Sequence, residues 1–95
     1  MAKSLAFEWD EAKAATNLAR HGVAFTDAAT FRFDLATIVL DERLVYGEER
    51  WIATAPLAGR IHVLVYTTRG TAIRVISLRK ANAREIKRYA DSFEA

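Results

Sequence analysis

The chain has 95 residues, of which 52% are hydrophobic and 27% charged, with a formal net charge of +2 at pH 7. That length supports one modest hydrophobic core, so a single domain over residues 1–95 is expected. The lack of cysteine excludes disulfides, thiolate metal sites and a cysteine nucleophile, and neither a signal-peptide apolar run nor an apolar stretch of about 18 residues occurs, so a cytoplasmic location with no membrane role is expected.

In chain order, the alternation in LAFEW (5–9) suggests a short strand. Asp10 then precedes a run of good helix formers that ends at Gly22, which predicts a helix over 11–20 with Ala15, Leu18 and Ala19 as its buried stripe. Thr26 is placed to cap a second helix, DAATFRF, whose Phe31 and Phe33 serve the core. The β-branched run ATIVL (36–40) reads as a strand leading into the charged loop DERLVYGEE. A meander follows, RWIATA, RIHVLVYT and TAIRVISL, joined by PLAG and TRG. Asn82 with Glu85 three residues on has the form of a capping box opening a C-terminal helix over 83–95. The expected class is α+β, a small antiparallel sheet with helices packed on one face, in the order (β)ααββββα.

With the last hairpin turning on Arg69 and Gly70, Tyr66 faces Ile73, Leu64 faces Val75 and His62 faces Ser77 on one side. Ile61, Val63, Val65, Arg74, Ile76 and Leu78 share the other, more aliphatic side, which is expected to pack on the helices. His62, Tyr66, Ser77 and Arg79, with Trp51, are then left on an open face.

Charge is segregated along the chain. Residues 1–59 carry 6 basic and 9 acidic groups, residues 60–89 carry 8 basic groups against Glu85 alone, and residues 90–95 carry two acids. Such a cationic segment suits a polyanion or an acidic partner, although solvated Arg and Lys on a helix are common without one.

Several motifs recur in a distinctive order: W-D-x-x-K from Trp9, H-G-x-x-F from His21, Y-G-E-x-R from Tyr46, V-Y-T-x-R-G from Val65, and R-x-I-S-x-R-K from Arg74. In this order the chain resembles the BrnT family, the toxins of bacterial type II toxin–antitoxin pairs. The resemblance implies a RelE-like fold and a ribonuclease activity that arrests growth. It also implies a BrnA-like ribbon-helix-helix antitoxin, two toxins assembling with two antitoxins, and contact with operator DNA only through the antitoxin.

A ribonuclease without a metal uses the substrate's 2′-hydroxyl as nucleophile, and the protein supplies a base, a leaving-group acid and cations for the charge that builds on phosphate. Arginine suits the last task because its planar fork donates two hydrogen bonds and stays charged. Arg43, Arg50, Arg74 and Arg79 are the candidates for it, with Tyr66 as a catalytic phenol and Arg69, Lys80 and Arg84 as RNA contacts. His21, His62 and Glu48 are the candidate acid or base groups. Each has a structural alternative: His21 interacting with a helix C-terminus, His62 on a half-exposed strand surface, Glu48 or Glu49 pairing with Arg43 or Arg50. Tyr89, Trp9 and Trp51 read first as packing residues.

No metal-ligand spacing, Gly-rich phosphate loop or nucleophile elbow is present, so no metal and no cofactor are expected. The alternative to a ribonuclease toxin is a non-enzymatic module that binds protein or nucleic acid, or a degenerate toxin that retains only antitoxin binding.

Overall fold

The structure, a computed structural model, describes residues 6–43 and 47–93; Tyr46 of the Y-G-E-x-R motif and the end of the expected C-terminal helix lie outside them. Strand β1 (Ala6–Glu8) leads into helix α1 (Glu11–His21), two 3₁₀ segments (Phe25–Thr30 and Phe33–Leu35), strands β2 (Thr37–Leu40), β3 (Trp51–Leu57), β4 (Arg60–Arg69) and β5 (Ala72–Lys80), and helix α2 (Ala83–Asp91). The sheet order is β1-β5-β4-β3-β2. The class is α+β as expected, but the sheet is mixed, because β1 pairs parallel to β5 while the other pairings are antiparallel. Among the described residues no helix is long and apolar enough to cross a membrane.

The ends of α1 follow the expected local chemistry. Asp10 accepts from the amides of Ala12 and Lys13, and Gly22 closes the helix in the left-handed region at φ 70°. Its buried side differs from expectation: Leu18 is 51% exposed, Ala15 and Ala19 are exposed, and Asn17 is buried. The Asn17 Nδ2 donates to the carbonyls of Val23 and Leu78, and its Oδ1 accepts from the Leu78 amide. Because β1 covers β5 only over Ala72–Arg74, Asn17 takes over the outer edge of β5 further along. A buried amide thus docks α1 where a leucine cannot satisfy backbone groups.

The expected second helix is not α-helical. Phe25, Ala28 and Phe31 are buried at intervals of three, which matches the 3₁₀ repeat. Phe31 and Phe33 also turn toward each other, their rings 4.9 Å apart, an arrangement that residues two apart on an α-helix cannot make. Thr26 does not cap the segment; Ala24 precedes it without a side-chain bond.

The two faces of the sheet are inverted relative to expectation. The core holds Leu64 and Tyr66 of β4 with Ala53, Ala55 and Leu57 of β3, packed on Val23, Phe25, Phe31 and Phe33, and Trp51 joins this side. The rings of the segment after α1 need the face that carries Tyr66, whose ring meets Phe33 edge-on at 5.8 Å. Val63 and Val65 point to the opposite side, where α2 lies, so the helices do not share one face.

The hairpin registers carry the second difference. The β3–β4 turn has both central residues at positive φ, Ala58 at 50° and Gly59 at 77°, as a tight primed turn requires. The last hairpin turns one residue later than expected, on Gly70 and Thr71, so that Arg69 pairs with Ala72 and Tyr66 with Val75. A bulge then intervenes: Val65 pairs with Ser77, leaving Ile76 as the extra residue. Val75 and Leu78, three apart, therefore both reach the core, while Ser77 and Arg79 turn to the other face.

Candidate active site

The face opposite the core carries a cavity of about 280 Å³. Ile52 and Thr54 of β3 with Val63 and Val65 of β4 make an apolar floor, and Thr37 and Val39 of β2 form one wall. Ser77 and Arg79 of β5 face Glu85, Arg88 and Tyr89 of α2, and Arg43 enters from the loop after β2. Among the described residues, three guanidiniums and one carboxylate therefore line it.

Arg79 reaches the cavity because of the bulge, and α2 holds it there. Its Nη1 and Nη2 donate to the two carboxylate oxygens of Glu85, each at 2.8 Å. Glu85 is fixed in turn by the capping box: its Oε1 accepts from the Asn82 amide at 2.9 Å and its own amide donates to Asn82 Oδ1 at 2.8 Å. One carboxylate thus opens α2 and orients the arginine; with Nη1 also donating to the Lys80 carbonyl at 3.3 Å, Nε and the second Nη2 hydrogen are left for a ligand.

The hydrogen bonds from Arg79 are the main cause that lowers the Glu85 carboxyl from 4.5 to about 2, against the partial desolvation that raises it. Arg79 is raised above its ordinary value by the same contact, with burial and the nearby charge of Arg43 acting against it. Arg43 and Arg79 therefore share one local field. At neutral pH Glu85 is an anion too acidic to serve well as a general base. Because its folded value lies below its unfolded one, the pair contributes fully above about pH 4.5 and that contribution disappears as pH falls through about 2. An acid titration of stability is expected to flatten across this window in Glu85→Gln; an unchanged acid limb would show that the pair contributes nothing there.

Arg43 is presented by a residue that sequence reasoning did not single out. The Asp41 side chain is fully buried, and it accepts from Arg43 Nε at 2.8 Å and Nη2 at 2.7 Å. The Asp41 amide donates to the Arg50 carbonyl at 2.7 Å, which anchors the loop to the start of β3. The Arg43 side chain remains 67% exposed, so its charge is aimed but accessible. Tyr89, expected as a packing residue, lines the cavity, and its hydroxyl donates to the Leu35 carbonyl at 2.7 Å.

The other expected site residues lie elsewhere. Tyr66 is in the core, where burial raises its phenol. Arg74 pairs with Glu8 of β1 at 2.8 Å and ties the parallel strand to the sheet. Glu48 lies 3.6 Å from Arg50 and 3.5 Å from Arg69, and none of these three lines the cavity. His62 is buried rather than half-exposed, with Nδ1 2.8 Å from the Arg60 carbonyl. His21 ends α1 and borders a different cavity. Lys80 and Arg84 are exposed and outside the lining. Arg88 and Ser77 are lining residues for which the sequence assigned no role; the apolar doublet Val75–Ile76 before Ser77 was the only signal of the bulge that places the latter.

Among the described residues no group of three or more histidine or acidic side chains converges as a metal site would require. The arrangement sets three guanidinium charges over an apolar floor, with Arg43 and Arg79 each held by a carboxylate, and their outward donors suit a phosphodiester. No curated protein matches the chain. The family model described as the ribonuclease toxin BrnT of type II toxin–antitoxin systems matches residues 9–85. With that match covering most of the sequence and a cavity that concentrates arginine, the chain belongs to the BrnT family of type II toxin–antitoxin ribonuclease toxins.

Proposed function

We propose that the chain is a cytoplasmic endoribonuclease that cleaves RNA without a metal ion, by attack of the substrate's 2′-hydroxyl on the adjacent phosphodiester. The bond from O2′ to phosphorus forms and the bond to O5′ breaks. The proton of the 2′-hydroxyl passes to solvent water and O5′ takes one from a lining hydroxyl, leaving a 2′,3′-cyclic phosphate and a 5′-hydroxyl. The convergence of Arg43, Arg79 and Arg88 on one cavity carries this reading. Arg79 and Arg43 take the non-bridging oxygens as charge builds, and Arg88 holds a neighbouring phosphate. Asp41 positions Arg43 and Glu85 positions Arg79. The Tyr89 hydroxyl, once it turns from the Leu35 carbonyl, is the lining group best suited to protonate O5′. Arg50, Arg69 and Arg74 serve the loop and the strands, and Lys80 and Arg84 add a diffuse attraction for RNA.

The partner that silences the toxin is a BrnA-like ribbon-helix-helix antitoxin, in a complex of two toxins and two antitoxins that meets operator DNA through the antitoxin. Support for a covering partner comes from edge strand β2, where Ile38, Val39 and Leu40 are 44%, 58% and 40% exposed beside the cavity.

Induction of the chain alone in a bacterial host is expected to arrest growth and degrade RNA, with both effects relieved in Arg79→Ala. Normal growth and intact RNA in cells that contain the folded protein would favour a non-enzymatic binding module or a degenerate toxin.

A further inference from the structure

A second cavity, also about 280 Å³, lies between α1 and β5 at the bulge. Lys13, Thr16, Arg20 and His21 of α1 border it, with Ile76 and Ser77 of β5 opposite, and no acidic residue does. Ser77 borders the candidate active site as well, so the two cavities meet across one side chain.

Three observations give this groove a purpose. The bonds of Asn17 to Leu78 and Val23 fix the rotation of α1, so that Lys13 and Arg20, four residues before it and three after, overhang the bulge. Both are exposed, and neither is in an ion pair among the described residues. Arg20 and His21 suit the negative end of the helix dipole, but Lys13 stands in the first turn, where a cation is disfavoured. A structural role therefore accounts for Arg20 and His21 and not for Lys13. Hydroxyls of Thr16 and Ser77 stand among the cations and no carboxylate borders the groove, a set of donors that fits the phosphates and sugars of a nucleic-acid backbone.

We infer that the groove of Lys13, Arg20 and His21 is a second backbone subsite, which holds the RNA strand on the side of Ser77 away from the reacting phosphate. This rests on the ribonuclease reading for its substrate class. The groove supplies affinity and register, and no step of the reaction.

The test is binding of an uncleavable 2′-O-methyl RNA of about a dozen nucleotides, over a range of salt, to the full chain and to Lys13→Glu/Arg20→Glu, with Lys13→Gln/Arg20→Gln in reserve should the first fail to fold. Arg32→Glu/Lys87→Glu is the charge-matched control. The expected result is affinity lowered about tenfold or more, and a salt slope smaller by about 1.4, in the groove variant and not in the control. Unchanged affinity, an equal loss in the control, or no binding by the unsubstituted chain would overturn the inference. Loss of poly-glutamate binding with RNA binding intact would assign the groove to an acidic peptide and overturn it too. Groove-dependent binding by a chain that cleaves no RNA would instead remove the ribonuclease reading and leave the groove standing.

Discussion

Replacing Arg79 by alanine is expected to lower RNA cleavage by about 10²-fold or more while the fold persists. The guanidinium is already aimed by its fork on Glu85 and shares its field with Arg43, so little reorganisation is needed when charge develops on the phosphate. The loss should fall mainly on kcat, because the interaction strengthens as charge builds. Arg79→Lys should recover only part of the rate, since an ammonium cannot hold Glu85 and a phosphate oxygen with the same planar geometry. Stability should fall by no more than about 1 kcal/mol, because the ion pair is partly solvated and the Asn82–Glu85 capping box survives without the arginine. Lys80→Ala, one residue on but outside the cavity, should lose far less activity. Steady-state kinetics with thermal melts separates these outcomes; equal losses in the two variants would mean that only diffuse charge matters.

Asn17→Ala should be strongly damaging although it lies outside the cavity, destabilising the chain by about 3 kcal/mol. It strands the Leu78 amide and carbonyl and the Val23 carbonyl at a residue only 5% exposed. The neighbouring groove admits some water, which keeps the cost below the sum of three fully orphaned groups. Asn17→Asp should be comparably harmful, because a carboxylate cannot donate to two carbonyls. A urea denaturation midpoint that barely moves in either variant would show that α1 is held by its apolar contacts alone.

Residues whose local chemistry determines their structure were readable in advance. Asp10, Gly22, Asn82 and Glu85 mark the helix ends where the structure has them, and the strands of the meander follow their apolar runs. What could not be read depends on contacts distant in sequence. The parallel pairing of β1 rests on three residues, too few to declare a partner. Choosing the more aliphatic face of β4 as the core ignored the rings that follow α1, which need the face with Tyr66. In the bulge, the broken alternation Val75, Ile76, Ser77, Leu78 was a usable signal, and it decides that Arg79 enters the cavity. Asp41 looks like any loop acid in sequence; only burial distinguishes the carboxylate that aims Arg43.

The most direct test is to incubate the purified chain with a defined RNA in the presence of a chelator and identify the ends produced. The expected result is cleavage giving 2′,3′-cyclic phosphate and 5′-hydroxyl ends, strongly reduced in Arg79→Ala. Intact RNA, or 5′-phosphate ends that vanish with the chelator, would contradict arginine-driven cleavage by the substrate's own hydroxyl.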